Sequence, residues 1–164
     1  MSDTILGIDP GSRKTGYGFV RREGNRIHHL DNGVLQLSAR APLAERLLEL
    51  HTGLMALIGR HHPTIAALEH IYFARNPQSA LKLGHARGVA LLAAISGGLK
   101  VFEYSPAEIK RTVTTTGRAE KGQVQRMVQI LLGLPEIAQE DASDALAAAI
   151  CYCHRTPPER DTSR

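Results

Sequence analysis

Apolar and polar positions follow a strand-like pattern up to about residue 38 and then change to helical spacing. Residues 4–9, TILGID, form an apolar stretch closed by a carboxylate and punctuated by Pro10 and Gly11. That pattern predicts a strand ending at a bend. TGYGFVRR reads as the return strand of a hairpin, and RIHHLDNGVLQL as the third strand of a meander. From Pro42 the apolar positions are Leu43, Leu47, Leu50, Leu54, Leu57 and Ile58, with Glu45, Arg46 and Glu49 on other faces. This is helical spacing, and Pro63 ends it. TIAALEHIYF predicts a short apolar strand, and NPQSALKLGHARGVALLAAIS a helix capped by Asn76 before Pro77. KVFEYS predicts another strand, after which Ser105, Pro106 and Glu108 carry a capping-box signature for a short helix. Thr112 to Gly117 is β-branched and then broken by glycine, which reads as an irregular loop. A helix carrying Val124, Val128, Leu131 and Leu132 follows, and a last helix starts near Asp141.

Early strands that pair as a meander and later strands that alternate with helices predict an α/β fold, a mixed five-stranded sheet flanked by helices. A chain of 164 residues holds one well-buried domain, expected over residues 1–155, and the tail TPPERDTSR (156–164) is expected to be disordered. No apolar run has membrane-spanning length and the N-terminus has no signal-peptide pattern, so a cytoplasmic protein with no membrane contact is expected. Cys151 and Cys153 are two apart in a helical segment and match no disulfide or zinc spacing, which predicts free thiols. Lysine and arginine exceed aspartate and glutamate by 20 to 16, and the pI near 9.3 suggests a polyanionic partner without identifying one.

The acids change the picture more than the net charge does. Alternation puts Asp9 on the strand face of Ile5 and Gly7, and Glu69 on the face of Ile65 and Ala67. Both interrupt apolar faces late in their strands, where open α/β sheets build sites. Asp9 alone reads equally as a turn acid bonding the Pro10-Gly11 backbone, whereas Glu69, between Leu68 and Ile71, caps nothing obvious. Asp141 and Asp144 are three apart and share a helical face, although taken alone they resemble a capping pair. The alanine-rich helix behind them suits close packing on a sheet, which would bring its first turn to Asp9 and Glu69. Two carboxylates about 4 Å apart repel by roughly 4 kcal/mol at an effective dielectric near 20, so such a group needs protons or cations. Oxygen donors without a matching histidine or cysteine set suit Mg²⁺ or Mn²⁺, and two such ions are a recognised arrangement for phosphodiester hydrolysis.

ILGIDPGSRKTGYG, ALEHIYFARNPQSALKLGHARGVALLAA, VFEYSPAEIKRTVTTTGRAEKGQVQRMV and DASDALAAAICYCH resemble, in order, the four signature blocks of RuvC-type Holliday junction resolvases. The resemblance covers nearly all of residues 4–154. It implies an RNase H-like fold, a homodimer, Mg²⁺ or Mn²⁺ (two ions per site), and paired symmetric nicks across a four-way DNA junction in recombination and repair. A branch-migration motor of the RuvA and RuvB type is the implied partner complex. Carried over by position, the catalytic and metal-binding acids are Asp9, Glu69, Asp141 and Asp144, the same four that the pattern singles out. Some relatives have histidine at the third place, so Asp141 implies an all-carboxylate site here. Tyr72, the family's aromatic in the second block, is expected to stack on unpaired junction bases. Lys110 and Lys121 match DNA-contacting lysines, with Arg75, Lys82 and Arg118 as further DNA candidates. Ala80, Gly84 and Gly88 form a small-residue stripe that would admit a second copy of the chain, or else the chain's own sheet.

Competing readings divide on particular residues. A strand ending in Asp-Pro-Gly-Ser also opens actin-like ATPases and sugar kinases, but that fold needs two such domains, and GSRKTG has Arg13 where a P-loop needs glycine. A non-catalytic DNA-binding module would suit the basic pI and leave Asp9 and Glu69 without a purpose. A ribonuclease H relative, or another resolvase family opening with a similar block, is the alternative within the nuclease class.

Overall fold

A computed structural model of the chain describes residues 2–70 and 76–156. Its strands are β1 (Ser2–Asp9), β2 (Lys14–Glu23), β3 (Arg26–Gln36), β4 (Ile65–Glu69) and β5 (Lys100–Tyr104). The helices are α1 (Leu43–His61), α2 (Pro77–Ser96), α3 (Pro106–Thr114), α4 (Lys121–Leu132) and α5 (Glu140–Arg155). The sheet order is β3-β2-β1-β4-β5, with β1, β2 and β3 antiparallel and β4 and β5 parallel to β1. The mixed five-stranded sheet flanked by helices is therefore as expected.

Two cores follow from strand alternation. Leu6, Ile8, Phe19, Ala66 and Leu68 face α1 and α2, while Ile5, Val20, Ile65 and Ala67 face α3, α4 and α5. Asp9 and Glu69 continue the second set, so both carboxylates lie on the α5 side of the sheet. Helix α5 is buried along most of its length, from Ala142 to Cys153. It can sit this close because the sheet beneath it lacks side chains. A Cβ on Gly7 would come within 1.8 Å of the Ala145 carbonyl oxygen, and one on Gly16 within 1.9 Å of the Asp141 carbonyl oxygen. Gly18, paired across the strands with Gly7, lies under Leu146 in the same way.

One local expectation changes. Thr112, Val113 and Thr114 are not loop but the end of α3. Their β-branched preference is overcome by packing, because Ile109 and Val113 are buried in the core on the α5 side, and the Thr112 and Thr114 hydroxyls donate to the carbonyls of Glu108 and Lys110, one turn back, at 2.8 Å each. Gly11 leaves no free space beside Asp9: a Cβ there would stand 2.2 Å from the Lys14 carbonyl oxygen, so the glycine serves the turn itself. Cys151 and Cys153 are free, as expected, and buried; burial pushes the Cys153 thiol pKa up to about 12. Thr156, where the tail was expected to begin, still caps α5 and accepts from the buried Arg22 guanidinium. Residues 157–164 lie outside the described residues. Among the described residues no helix is long and apolar enough to cross a membrane.

Candidate active site

The carboxyl ends of β1 and β4 and the first turn of α5 meet at one cavity of about 400 Å³. Asp9, Glu69, Asp141 and Asp144 all line it, and so do Lys110 from α3 and Lys121 from α4. The register explains the first pair: Ile8 stands beside Leu68 in the parallel β1–β4 ladder, so the next step sets Asp9 beside Glu69. Neither simple local role holds for the acids. The Gly11 amide of the bend donates to Thr15 Oγ1 at 3.1 Å rather than to Asp9. The N-cap of α5 is Gln139, with no side-chain cap, and Asp141 is already inside the helix. The capping reading of Asp141 and Asp144 is thus set aside.

Electrostatics penalise the bare carboxylates in this cavity. Burial, reinforced by the charges of Asp144, Asp141 and Glu69, raises the Asp9 pKa to about 7. Burial also raises Glu69, with Asp144 adding to it, and raises Asp144, against the opposing pull of Lys121. Lys14 was passed over in the sequence except as part of a failed phosphate loop. Its Nζ lies 2.6 Å from Asp141 Oδ2, a contact that holds the ammonium pKa above its usual range. The same oxygen is shut off from solvent, so the ammonium is its partner in the metal-free chain. Lys121 in turn is ion-paired with Glu140, next to Asp141 in α5.

Among the described residues no three His, Cys, Asp or Glu side chains close to metal-ligand spacing. Bare carboxylates repel, and here Lys14 draws Asp141 to itself. The donor set nonetheless fits a hard divalent ion: four carboxylates around one cavity, with Asp9 raised by burial and by the other three.

The other candidates scatter. Lys82 and Arg118 are exposed, on α2 and on the loop before α4, and do not line the cavity. Tyr72 and Arg75 lie outside the described residues. Gly84 and Gly88 face outward on α2, where an added Cβ would meet nothing, so they do not pack on the chain's own sheet. The same face exposes Leu81, Leu92 and Ile95 by 64%, 58% and 61%. Sequence reasoning missed Lys14, Gly16 and Gly18. Glycines two apart in a strand were the available signal for the last two.

A family model described as crossover junction endodeoxyribonuclease RuvC matches residues 5–152. The chain belongs to the RuvC family. It is 57% identical over 150 residues to the crossover junction endodeoxyribonuclease RuvC of Syntrophotalea carbinolica, covering 92% of this chain and 93% of the relative. Identity to the RuvC of Citrifermentans bemidjiense is 55%, over 92% of each chain. The solved structure of T. thermophilus RuvC in complex with Holliday junction substrate matches with a TM-score of 0.86 at 33% identity, over 92% of each chain. The fold is accordingly the RNase H-like fold of RuvC resolvases, and its adjacent strands β1 and β4 with helix α5 bring the four acids to the cavity just described.

Proposed function

We propose that this chain is an endodeoxyribonuclease of the RuvC family that resolves four-way DNA junctions by paired symmetric nicks, in recombination and repair. One observation carries the residue assignment: all four acids and two lysines line a single cavity at the carboxyl edge of the sheet. Nucleases of this family are metal-dependent in general. In this reading Asp9, Glu69, Asp141 and Asp144 hold two Mg²⁺ or Mn²⁺ ions, which when bound supply an activated water and stabilise the leaving oxygen. Lys110 and Lys121 bind the scissile strand's phosphates from the α3 and α4 side of the cavity. Asp9 gives up its proton when the site is loaded, because the protonated carboxyl is a poor ligand.

Residues 1–155 constitute the nuclease domain, acting in the cytoplasm. A homodimer formed through α2 presents two equivalent cavities to opposed strands of a two-fold junction. Leu81, Gly84, Gly88, Leu92 and Ile95 recur three or four apart on one exposed face, and glycine there admits close approach. A RuvA and RuvB type motor supplies the migrating junction, Tyr72 stacks on its open bases, and Lys82, Arg75 and Arg118 extend the contact with its arms.

The test is cleavage of a synthetic four-way junction and of a linear duplex, each with Mg²⁺ and with chelator. Metal-dependent paired nicking of the junction alone is expected. Asp9→Asn, Glu69→Gln and Asp144→Asn are each expected to abolish cutting while junction binding stays within about twofold. Equal cutting of both substrates would sink the resolvase reading, and wild-type cutting by any of the three variants would remove that residue from the site.

A further inference from the structure

Strand β4 ends at Glu69, and the backbone at that point has an unusual requirement. In the parallel ladder with β1, continuing the register one step past Ile8 and Leu68 asks residue 10 to donate its amide to the Glu69 carbonyl. Residue 10 is proline and has no N–H. The donor comes instead from α2. Arg87 Nη1 hydrogen-bonds the Glu69 carbonyl oxygen at 2.7 Å, and Nη2 lies 2.6 Å from Glu103 Oε1 on β5. The other oxygen of Glu103 is 2.8 Å from Nδ1 of His70, the residue after Glu69. The His70 amide meanwhile donates to the Tyr104 carbonyl at 2.6 Å. Arg87 is only 14% exposed, although Glu103 is 31% exposed, so the arginine end of the fork is enclosed and the glutamate end reaches solvent.

We propose that Arg87 is a positioning residue for the reaction, fixing the Glu69 carbonyl, and with it the direction of the Glu69 side chain, through a latch shared with Glu103 and His70. The inference rests on Glu69 being a metal-holding acid. With the carbonyl held on one side by Arg87 and the next amide held on the other by β5, the peptide plane after Glu69 has no freedom to rotate. Its side chain therefore leaves the strand in one direction, toward the α5 side. Lysine does not reproduce this arrangement, because its donors share one nitrogen, whereas Arg87 meets its two acceptors with two separate nitrogens of a planar fork.

The experiment compares Arg87→Gln, Glu103→Gln and the double variant with wild type and with Glu69→Gln. It measures single-turnover cutting of a saturating four-way junction, junction affinity in chelator, and calorimetric Mn²⁺ affinity without DNA. Each single variant is expected to cut between about tenfold and a hundredfold more slowly, to bind Mn²⁺ more weakly, and to hold the junction as tightly as wild type. The double variant is expected to fall no further than the worse single, since both break one latch. Arg87→Lys is expected to remain impaired. A wild-type rate or wild-type Mn²⁺ affinity in Arg87→Gln overturns the proposal, as do losses that multiply in the double variant. Wild-type cutting by Glu69→Gln would instead overturn the reading of the site, whatever the latch variants do.

Discussion

At the residue scale the site's chemistry turns on one carboxyl. Burial and three neighbouring acids hold Asp9 up to about 7, so between the usual carboxylate range and that pH the folded protein keeps a proton the unfolded chain has lost. Raising the pH through this window therefore costs the metal-free protein stability, and a divalent cation removes the cost by replacing the proton. The rise in melting temperature on adding Mg²⁺ should be large above pH 7 and shrink as the pH falls through about 7. Calorimetry with and without the ion checks this. The difference is the quantity to read, because His29, which burial holds below its usual range, works in the opposite direction in both samples. Asp9 and Glu69 were legible beforehand because strand alternation is a local rule. Lys14 and Arg87 were not. Each acts on a residue brought near only by the fold, and neither breaks a pattern in its own element.

At the element scale the position of α5 is set by what β1 and β2 omit. The alanines of α5 announced close packing in the sequence, but half of the explanation stood elsewhere, in Gly7, Gly16 and Gly18. Gly16→Ala would place a methyl 1.9 Å from the Asp141 carbonyl oxygen, against backbone that cannot rotate away. The first turn of α5 must lift, and a cost of about 1–3 kcal/mol is expected from such overpacking. Cutting should fall further than stability alone explains, since the displaced turn carries Asp141 and leads directly into Asp144. Denaturant unfolding beside junction cleavage tests both. Gly59→Ala on α1, where an added Cβ meets nothing, should instead stabilise by about 0.5–1 kcal/mol. The end of α3 was misread for the complementary reason: propensity put Thr112–Thr114 outside the helix, and the burial of Val113 in the core holds them in it.

At the scale of the whole molecule the two faces of the sheet divide the work. One carries α5 and the acids, while the other carries α2, whose outward apolar stripe is the face proposed above for the dimer. Leu92→Glu places a charge in that stripe and is expected to yield monomers in sedimentation velocity. Such monomers should nick single strands without pairing the cuts. The basic balance of the chain predicts junction binding that weakens steeply with salt in wild type and monomer alike.

Helix α5 is enclosed by the sheet, α3 and α4, and at its far end the Arg22 guanidinium grips the carbonyls of Cys153 and Thr156. Two of the four acids therefore ride on the segment that is the last to open. In hydrogen-exchange terms the amides along the middle of α5 should report the global unfolding free energy. Asp144, past the first turn, then follows the global transition, and heat should inactivate the enzyme where it unfolds α5. The catalytic centre has no melting point of its own.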